Sequence, residues 1–392
     1  MAEESGGKRT QGRMKRIAFF FGSGISRASG APTVDQLTNS ILGDPWEFTS
    51  RETFVPKVPG VSSHPFDDGN RFQEFLRLLA DEIGPEIKRA LNRMVNYEDL
   101  YAAAIQIVDY ELKVLVNPMI LRSYAALRSQ SSSLYLGKGS HVNQDEFASL
   151  ADRACTLIQW AVFHGLLKAT APVGMGALAD VCQMDLEVDI FTLNHDTLIE
   201  RLLKGVNITF ADGFSECDGD VTYFNSNWPS SNCRLFKLHG SVDWYRFQSG
   251  GKDRYARVSR HDSILRDRSG DLLDGVDSTP VFLTGTYVKE KNYGVNFFGE
   301  HFSEFRQRLC THEKLVCCGY GWGDSGINIR LSQWLREDDR RQITVLHGGP
   351  CAHLELWRSR LWTGYVKQNR VTIVPKWLSE CTVDDLISTA VV

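Results

Sequence analysis

The sequence predicts an α/β fold: a doubly wound, Rossmann-like parallel sheet with helices on both faces and an inserted helical subdomain. Short apolar runs, too short for helices, recur along the chain and end in glycine or polar residues, as buried parallel strands do. A long stretch with apolar residues at three- and four-residue spacing separates the first run from the later ones. In open α/β sheets ligands bind at the carboxyl ends of the strands, so we expect one functional edge.

Composition and charge limit the class of protein. The 392 residues can bury a large core, and 42% hydrophobic with 23% charged residues is typical of a globular protein. A net charge of -4 gives no basic footprint, so direct nucleic-acid binding is not expected. Nine cysteines without a CxxC pair favour reduced thiols. No stretch reaches the ~20 apolar residues of a membrane span, so a soluble, cytoplasmic protein without membrane contact is expected.

The amino-terminal part combines a tail, a strand and a glycine turn. Residues 1–16 are basic, but the apolar run after them is too short for a signal peptide, so a mobile tail is predicted. The run Ile17 to Phe21 reads as a strand, and the glycine turn after it can present backbone N–H groups to a phosphate. A helix over 33–42 is predicted, with Thr33 as its N-cap. Residues 44–70 form either a floppy insertion or a loop that covers a cofactor.

Helical periodicity dominates residues 71–170, with a break at 130–139, and predicts an inserted helical subdomain whose aromatic and leucine positions form a core. Glu98 lies at a helix start and is interpreted as structural. Residues 17–70 and 171–350 then form the nucleotide-binding core, and residues 351–392 form a carboxyl-terminal extension packed on it, with tryptophans as possible contacts. Strands are predicted in the core over 188–193, 233–238, 279–284, 315–318 and 343–346.

Two polar residues after these strands carry candidate chemistry. The Asn194 amide can hold a ribose hydroxyl or a water, and His239, with an ordinary pKa of ~6.5, can accept a proton at neutral pH. On the residues alone, Asn194 could instead cap a helix and His239 could be a core histidine. Asp324 and Asn328 could likewise only cap the helix after Gly323. His195 is interpreted as a packing residue.

Four stretches, in this order, resemble the sirtuin superfamily. GSGISRASGAP resembles its first NAD-binding loop, and TLNHDTLIE resembles its Thr-x-Asn-x-Asp motif. KLHGS resembles the stretch with the catalytic histidine, and GYGWGDSGIN resembles the late glycine turn on the adenosine side. The resemblance implies that NAD is bound as a substrate and that Asn194 and His239 are catalytic. The NAD-binding positions it implies are Gly22, Ser23, Gly24, Ile25, Ser26, Pro32, Thr192, Asp196, Gly319, Tyr320, Gly321, Asp324 and Asn328.

Several departures from the sirtuin pattern distinguish this chain from the sirtuin deacylases. Sirtuin deacylases carry a four-cysteine zinc ribbon, whereas this chain has only Cys310, Cys317 and Cys318 between the two late motifs, so no zinc is expected. Leu193 replaces the usual glutamine, and residues 33–35 replace the usual Asp-Phe-Arg. The chain resembles more closely the sirtuin-like NADases of bacterial antiphage defence, which share a helical insert and the NxDxLxE pattern of residues 194–200.

This closer resemblance implies an NAD glycohydrolase that yields ADP-ribose and nicotinamide and depletes NAD in antiphage defence by abortive infection. It also implies a homo-oligomer that partners a HerA-type hexameric ATPase. Two alternatives stay open: an NAD-dependent protein deacylase, and a non-catalytic module that binds NAD or ADP-ribose to regulate a partner. The missing zinc ribbon weighs against the first alternative, and Asn194 with His239 weighs against the second.

Overall fold

The structure, a computed structural model, describes residues 15–49, 53–57, 69–115, 117–134, 144–225, 228, 230–249, 251–258, 264–350 and 360–390. Most of the predicted tail and much of the 44–70 loop lie outside these ranges. The helices are α1 Val34–Gly43, α2 Gly69–Leu91, α3 Tyr97–Glu111, α4 Leu121–Gln130, α5 Gln144–Leu166, α6 Gly176–Cys182, α7 Leu198–Gly205, α8 Thr286–Asn292, α9 Asn296–Leu309, α10 Ser325–Glu337, α11 Arg360–Lys367 and α12 Val383–Ala390. The strands are β1 Arg16–Phe21, β2 Trp46–Phe48, β3 Phe54–Pro56, β4 Glu187–Thr192, β5 Phe214–Asp218, β6 Val221–Phe224, β7 Cys233–Lys237, β8 Trp244–Ser249, β9 Lys252–Val258, β10 Lys314–Cys318, β11 Gln342–Leu346 and β12 Val371–Val374.

Six parallel strands form the central sheet, in the spatial order β12-β11-β10-β1-β4-β7. The chain builds the sheet outward from β1, first through β4 and β7 on one side, then through β10, β11 and β12 on the other. This is the doubly wound topology, and its direction reverses between β1 and β10. The predicted Rossmann-like parallel sheet is confirmed.

Helices cover both faces of this sheet. On one face Phe20 of β1 belongs to an apolar cluster that includes residues of α9, α10 and α11. On the other face Phe19 and Phe21 pack in a cluster with residues of α6, α7 and α12. A strand buried on both faces has no solvent side, which is why β1 reads as an unbroken apolar run. The prediction of helices on both faces is confirmed.

Helix α1 begins as the sequence predicts. The Thr33 side chain accepts a hydrogen bond from the Gln36 backbone N–H at 3.2 Å, and the Gln36 side chain accepts one from the Thr33 N–H at 2.8 Å. This reciprocal capping box satisfies two backbone donors that the first helical turn leaves unpaired. A 3-10 helix, Ser23–Ser29, fills the span between β1 and α1.

The helices predicted over 71–170 form as α2, α3, α4 and α5, and they share a second apolar core. Leu37 and Ile41 of α1 and Trp46 of β2 also pack into this core. Val242 and Phe282 reach into it from the part of the chain around the central sheet. The division into a core and a separate helical subdomain with these boundaries stays a prediction. Within the described ranges, no helix is both long and apolar enough to cross a membrane.

Three features differ from the predicted strands or add to them. The strand predicted over 279–284 does not form. Leu283 donates its backbone N–H to His239 in the turn after β7, and Val281 donates its own to Trp244, the first residue of β8. Only Phe282 makes an isolated antiparallel bridge, to Gly240. A separate four-stranded antiparallel sheet has the order β5-β6-β9-β8. Its strands come from the segments of the chain just before and just after β7. The sixth central strand, β12, comes from the carboxyl-terminal extension.

Candidate functional site

A cavity of about 310 Å³ opens at the carboxyl ends of the central strands, on both sides of the β1–β10 reversal. The strand order therefore places it at the position where doubly wound folds bind their ligands. Most of the predicted site residues line this cavity: Gly22, Ser23, Ser26, Pro32, Asn194, Asp196, His239, Gly319, Tyr320, Gly321 and Asp324.

The floor of the cavity is made where two glycine turns touch. Gly22 donates its N–H to the Cys318 carbonyl at 3.0 Å, and Gly24 donates its N–H to the Gly319 carbonyl at 2.9 Å. A Cβ at Gly24 would lie 2.6 Å from the Gly319 Cα, and one at Gly319, where φ is +67°, would lie 2.5 Å from the Ile25 nitrogen. The glycines are thus required for the close approach of two backbones.

This contact changes the predicted use of the first loop. The loop from Gly22 to Gly24 is expected to offer backbone N–H groups to a pyrophosphate, but those of Gly22 and Gly24 are bonded to the end of β10 and the turn after it. These two amides therefore join the two turns in this arrangement, and binding of a pyrophosphate by the first loop stays a prediction. Ser23 lies between the two glycines and faces the cavity.

Asn194 and Asp196 are fixed by one serine of the first loop. The Asn194 Nδ2 donates to the Ser26 Oγ at 2.9 Å, and the Ser26 hydroxyl donates to the Asp196 Oδ2 at 2.7 Å. Asp196 Oδ1 accepts from the Leu198 N–H at 3.0 Å. Burial raises the pKa of Asp196 above its ordinary value, although the Lys237 charge and the bond from Ser26 oppose the rise. Asn194 lines the cavity, and its Oδ1 is buried without a hydrogen-bond partner among the described residues.

A buried ion pair stabilises the turn after β4, which carries Asn194 and Asp196. Lys237, at the end of β7, donates from Nζ to Glu200 Oε1 of α7 at 2.8 Å, and it also donates to the Asp196 carbonyl. Lys237 is 2% exposed and Glu200 is 5% exposed. The pair joins the strand that precedes His239 to the turn that carries Asn194, so it sets their relative position.

His239 is buried at the cavity and bonded to residues from a different part of the chain. Its Nε2 lies 2.7 Å from the Tyr293 hydroxyl, which in turn donates to Asp324 Oδ2 at 2.6 Å. Nε2 is also 3.4 Å from that same carboxylate oxygen. Burial lowers the pKa of His239 below its ordinary value, against the opposing effect of Asp324, so the imidazole is neutral at pH 7.

Asp324 keeps its charge in this position. Burial alone would raise the pKa of Asp324, but its hydrogen bonds with His239 and Tyr293 hold that pKa below its usual range. Its other oxygen accepts from the Ile327 N–H at 3.0 Å and so caps α10. The cap that the sequence left open as an alternative exists, and the same carboxylate also faces the candidate base.

The remaining predicted residues lie around the cavity and do not line it. Ile25 packs in the apolar core under the sheet. The Thr192 hydroxyl accepts from the Asn194 backbone N–H at 3.1 Å, which shapes the turn after β4. Asn328 accepts from the Tyr320 hydroxyl at 3.0 Å and donates to the Trp322 carbonyl at 2.7 Å, so it supports the β10 turn.

The sequence did not indicate that residues of α1, α3 and α5 form one wall of the cavity. Glu98 of α3 lines the cavity, accepts from Lys289 Nζ at 2.9 Å and accepts from the Gly285 backbone N–H. Leu37, Val162 and Leu166 add an apolar side. The acidic residue at a predicted helix start was visible in the sequence, but no local pattern pairs it with a lysine so far along the chain.

Metal ligation is a separate question. Among the residues that the structure describes, no cluster of three or more histidine, cysteine or acidic side chains is arranged to hold a metal ion. Cys317 and Cys318 are buried on opposite faces of β10, in different apolar clusters, so they cannot bind one ion together.

We therefore expect the purified protein to contain no stoichiometric zinc. The reason is the missing cysteine quartet in the span between Ser241 and Gly319. Elemental analysis after dialysis against metal-free buffer measures this directly, and one zinc per chain would contradict it.

Residues 188–365 match the SIR2-like domain family. A Sir2 homologue solved in complex with NAD is 12% identical to this chain, over 96% of this chain and 90% of its own, with a TM-score of 0.37. A mutant Sir2 homologue in complex with 2′-O-acetyl ADP ribose is 11% identical, over 96% of this chain and 92% of its own, with the same TM-score of 0.37. No curated protein is significantly similar to this chain. The family match spans β4 to α11 and contains Asn194, His239 and Asp324, whereas the first glycine loop lies outside it.

Proposed function

We propose that this protein is an NAD glycohydrolase that cleaves NAD to ADP-ribose and nicotinamide. The observation that carries the proposal is one cavity with an unpaired Asn194 amide oxygen and a buried, neutral His239. The match of residues 188–365 to the SIR2-like domain supports NAD as the ligand.

The protein does not need to protonate the leaving group, because the pyridinium already carries a positive charge. The glycosidic bond breaks with its electron pair leaving on nicotinamide, and positive charge develops on the ribose. Asn194 orients the attacking water or the ribose through its free acceptor. As the water oxygen bonds to C1′, His239 takes its proton and later releases it to solvent.

Water is favoured as the acceptor over an acyl peptide for two reasons. The zinc ribbon that forms one wall of the peptide cleft in sirtuin deacylases has no counterpart in the cysteine spacing of this sequence. In addition, Leu37 of α1 and Val162 and Leu166 of α5 line one side of the cavity with apolar side chains. A small nucleophile fits such an enclosure better than a peptide does.

The biological role we propose comes from the resemblance to the antiphage NADases. In it the protein is a cytoplasmic homo-oligomer that docks on a HerA-type hexameric ATPase and depletes NAD during phage infection. An ungated NADase would poison its own cell, so assembly is a reasonable gate. Light scattering tests this: a monomer that is fully active alone would contradict it.

Incubation with NAD, alone and with a HerA-type ATPase, is the direct test of the proposed activity. We expect nicotinamide and ADP-ribose in equal amounts, identified by chromatography and mass spectrometry. A parallel arm adds an acetylated peptide, and acyl transfer to ADP-ribose there would favour the deacylase. Binding of NAD without turnover in either arm would favour the non-catalytic module.

A further inference from the structure

We propose that Tyr293 and Asp324 are positioning residues that hold neutral His239 with its proton on Nε2, which leaves the Nδ1 lone pair as the base. This assignment rests on the proposed function for the reaction that the base serves. Tyr293 lies between α8 and α9 and belongs to none of the four motifs that the sequence offered.

Counting protons among the three side chains gives the tautomer. An ionised carboxylate only accepts hydrogen bonds, so the proton in the 2.6 Å contact between Tyr293 and Asp324 belongs to Tyr293. A tyrosine has one hydroxyl proton, and this contact uses it. The 2.7 Å contact between His239 Nε2 and the same hydroxyl oxygen must therefore be donated by the imidazole.

Burial keeps each group in the charge state that this count assumes. The carboxylate of Asp324 is the ionised member, since its hydrogen bonds hold its pKa low. Burial and the neighbouring Asp324 charge raise the pKa of Tyr293, so its hydroxyl keeps its proton. Both rings are almost fully enclosed, at 2% exposure for Tyr293 and 3% for His239.

Packing fixes the geometry of the three residues. The Tyr293 ring stacks on His239 at an interplanar angle of 16° and lies 4.1 Å from the Phe302 ring, measured between centroids. Asp324 is held from the other side by its cap bond to Ile327. Neither partner of the histidine can turn away without breaking other contacts, which is what a positioning role requires.

Other charged groups also face His239 and act on it in opposite directions. Lys289 of α8 lowers the pKa of His239, whereas Glu98 of α3 raises it, and these two residues form an ion pair with each other. His195 of the β4 turn lies with its ring centroid 6.2 Å away, and its own pKa is lowered well below the ordinary value by burial. Asp324 is thus the carboxylate that remains to stabilise the imidazolium formed during the reaction.

Nuclear magnetic resonance of protein labelled with ¹⁵N-histidine tests the tautomer without any substrate. The His239 signal is assigned as the one missing in His239→Gln. We expect the Nε2–H pattern for the neutral ring, and an Nδ1–H pattern would overturn the inference. The tautomer itself is measured on the unmodified protein, and the variant serves only to assign the signal.

Two variants test the positioning roles, and Tyr223→Phe is a matched control for a buried tyrosine far from the cavity. Asp324→Asn keeps a good helix cap but loses the charge, so the pKa of His239 should fall by at least ~1 unit and the acidic limb of kcat/KM should move to lower pH. Tyr293→Phe leaves the carboxylate as the nearest partner of Nε2, so the pKa of His239 should rise. The control should move neither value.

The outcomes separate this inference from the proposed function. If Asp324→Asn leaves the pKa of His239 unmoved or raises it, Asp324 does not act on the histidine and the inference fails. If Tyr293→Phe lowers that pKa or leaves it unmoved, Tyr293 only fills space and its role is lost. NAD cleavage by the wild-type protein would still stand in both cases. The expected tautomer and shifts in a protein that cleaves no NAD would overturn the glycohydrolase and keep the arrangement of the three residues.

Discussion

Alanine at Asn194 or at His239 is expected to reduce NAD turnover by at least ~100-fold, the usual scale for the loss of a general base or its positioning partner. Asn194→Ala removes the free amide acceptor at the cavity, and His239→Ala removes the proton acceptor. The double variant should be little worse than the more damaged single variant, because both side chains serve one transition state. Initial rates of nicotinamide release at saturating NAD measure all three proteins.

His347→Ala is the matched control. His347 also follows a parallel strand, β11, at the same edge of the sheet, but it packs against Trp377 outside the cavity. We expect near-normal turnover for this variant. Turnover by His239→Ala at the wild-type rate, with an intact fold by circular dichroism, would remove this histidine from the mechanism.

The second large effect is expected on stability. Lys237→Met leaves Glu200 as a buried carboxylate without its ion-pair partner, and a loss of that kind costs about 3–5 kcal/mol in the free energy of unfolding. The Asp196 carbonyl also loses its donor, so the turn that carries Asn194 should loosen as well. Urea or thermal denaturation followed by circular dichroism gives the change.

A double variant separates the charge effect from the loss of packing. Lys237→Met combined with Glu200→Leu replaces the pair with apolar side chains, which in other proteins is often neutral or stabilising. Most of the lost stability should return, although the Asp196 carbonyl stays without its donor. If the double variant were as unstable as Lys237→Met alone, the cost would come from that carbonyl or from packing, and the buried charge would not explain it.

The central sheet could be predicted because the apolar composition of its strands indicates that they are buried. β1, β10 and β11 are short apolar runs that stop at glycine or histidine, and all of them form with nearly the predicted bounds. The strand predicted over 279–284 also has an apolar centre at residues 281–283, yet its backbone bonds with His239 and Trp244 instead. A short apolar run shows that a segment is buried, but not what it pairs with.

The site residues that belong to a single sequence motif could be predicted. Asn194 and His239 each follow a strand, and parallel strands bring such residues to one edge. Tyr293 was not found and Glu98 was interpreted as structural, because their partners lie on elements far away in sequence. Lys237 did give a signal, as a charged residue at the end of a buried strand, which indicates a buried partner.

The contact of two glycine turns across the β1–β10 seam also has a consequence for the order of folding. The registered pair Phe19 and Val316 joins the start of the chain to a strand made near its end, whereas α2 to α5 contact neighbours close in sequence. Local contacts form early and such distant pairings form late. During synthesis β1 can pair with β4 before β10 is made, but the cavity is completed only after Gly319 has emerged. We therefore expect no NAD cleavage from nascent chains that end before Gly319.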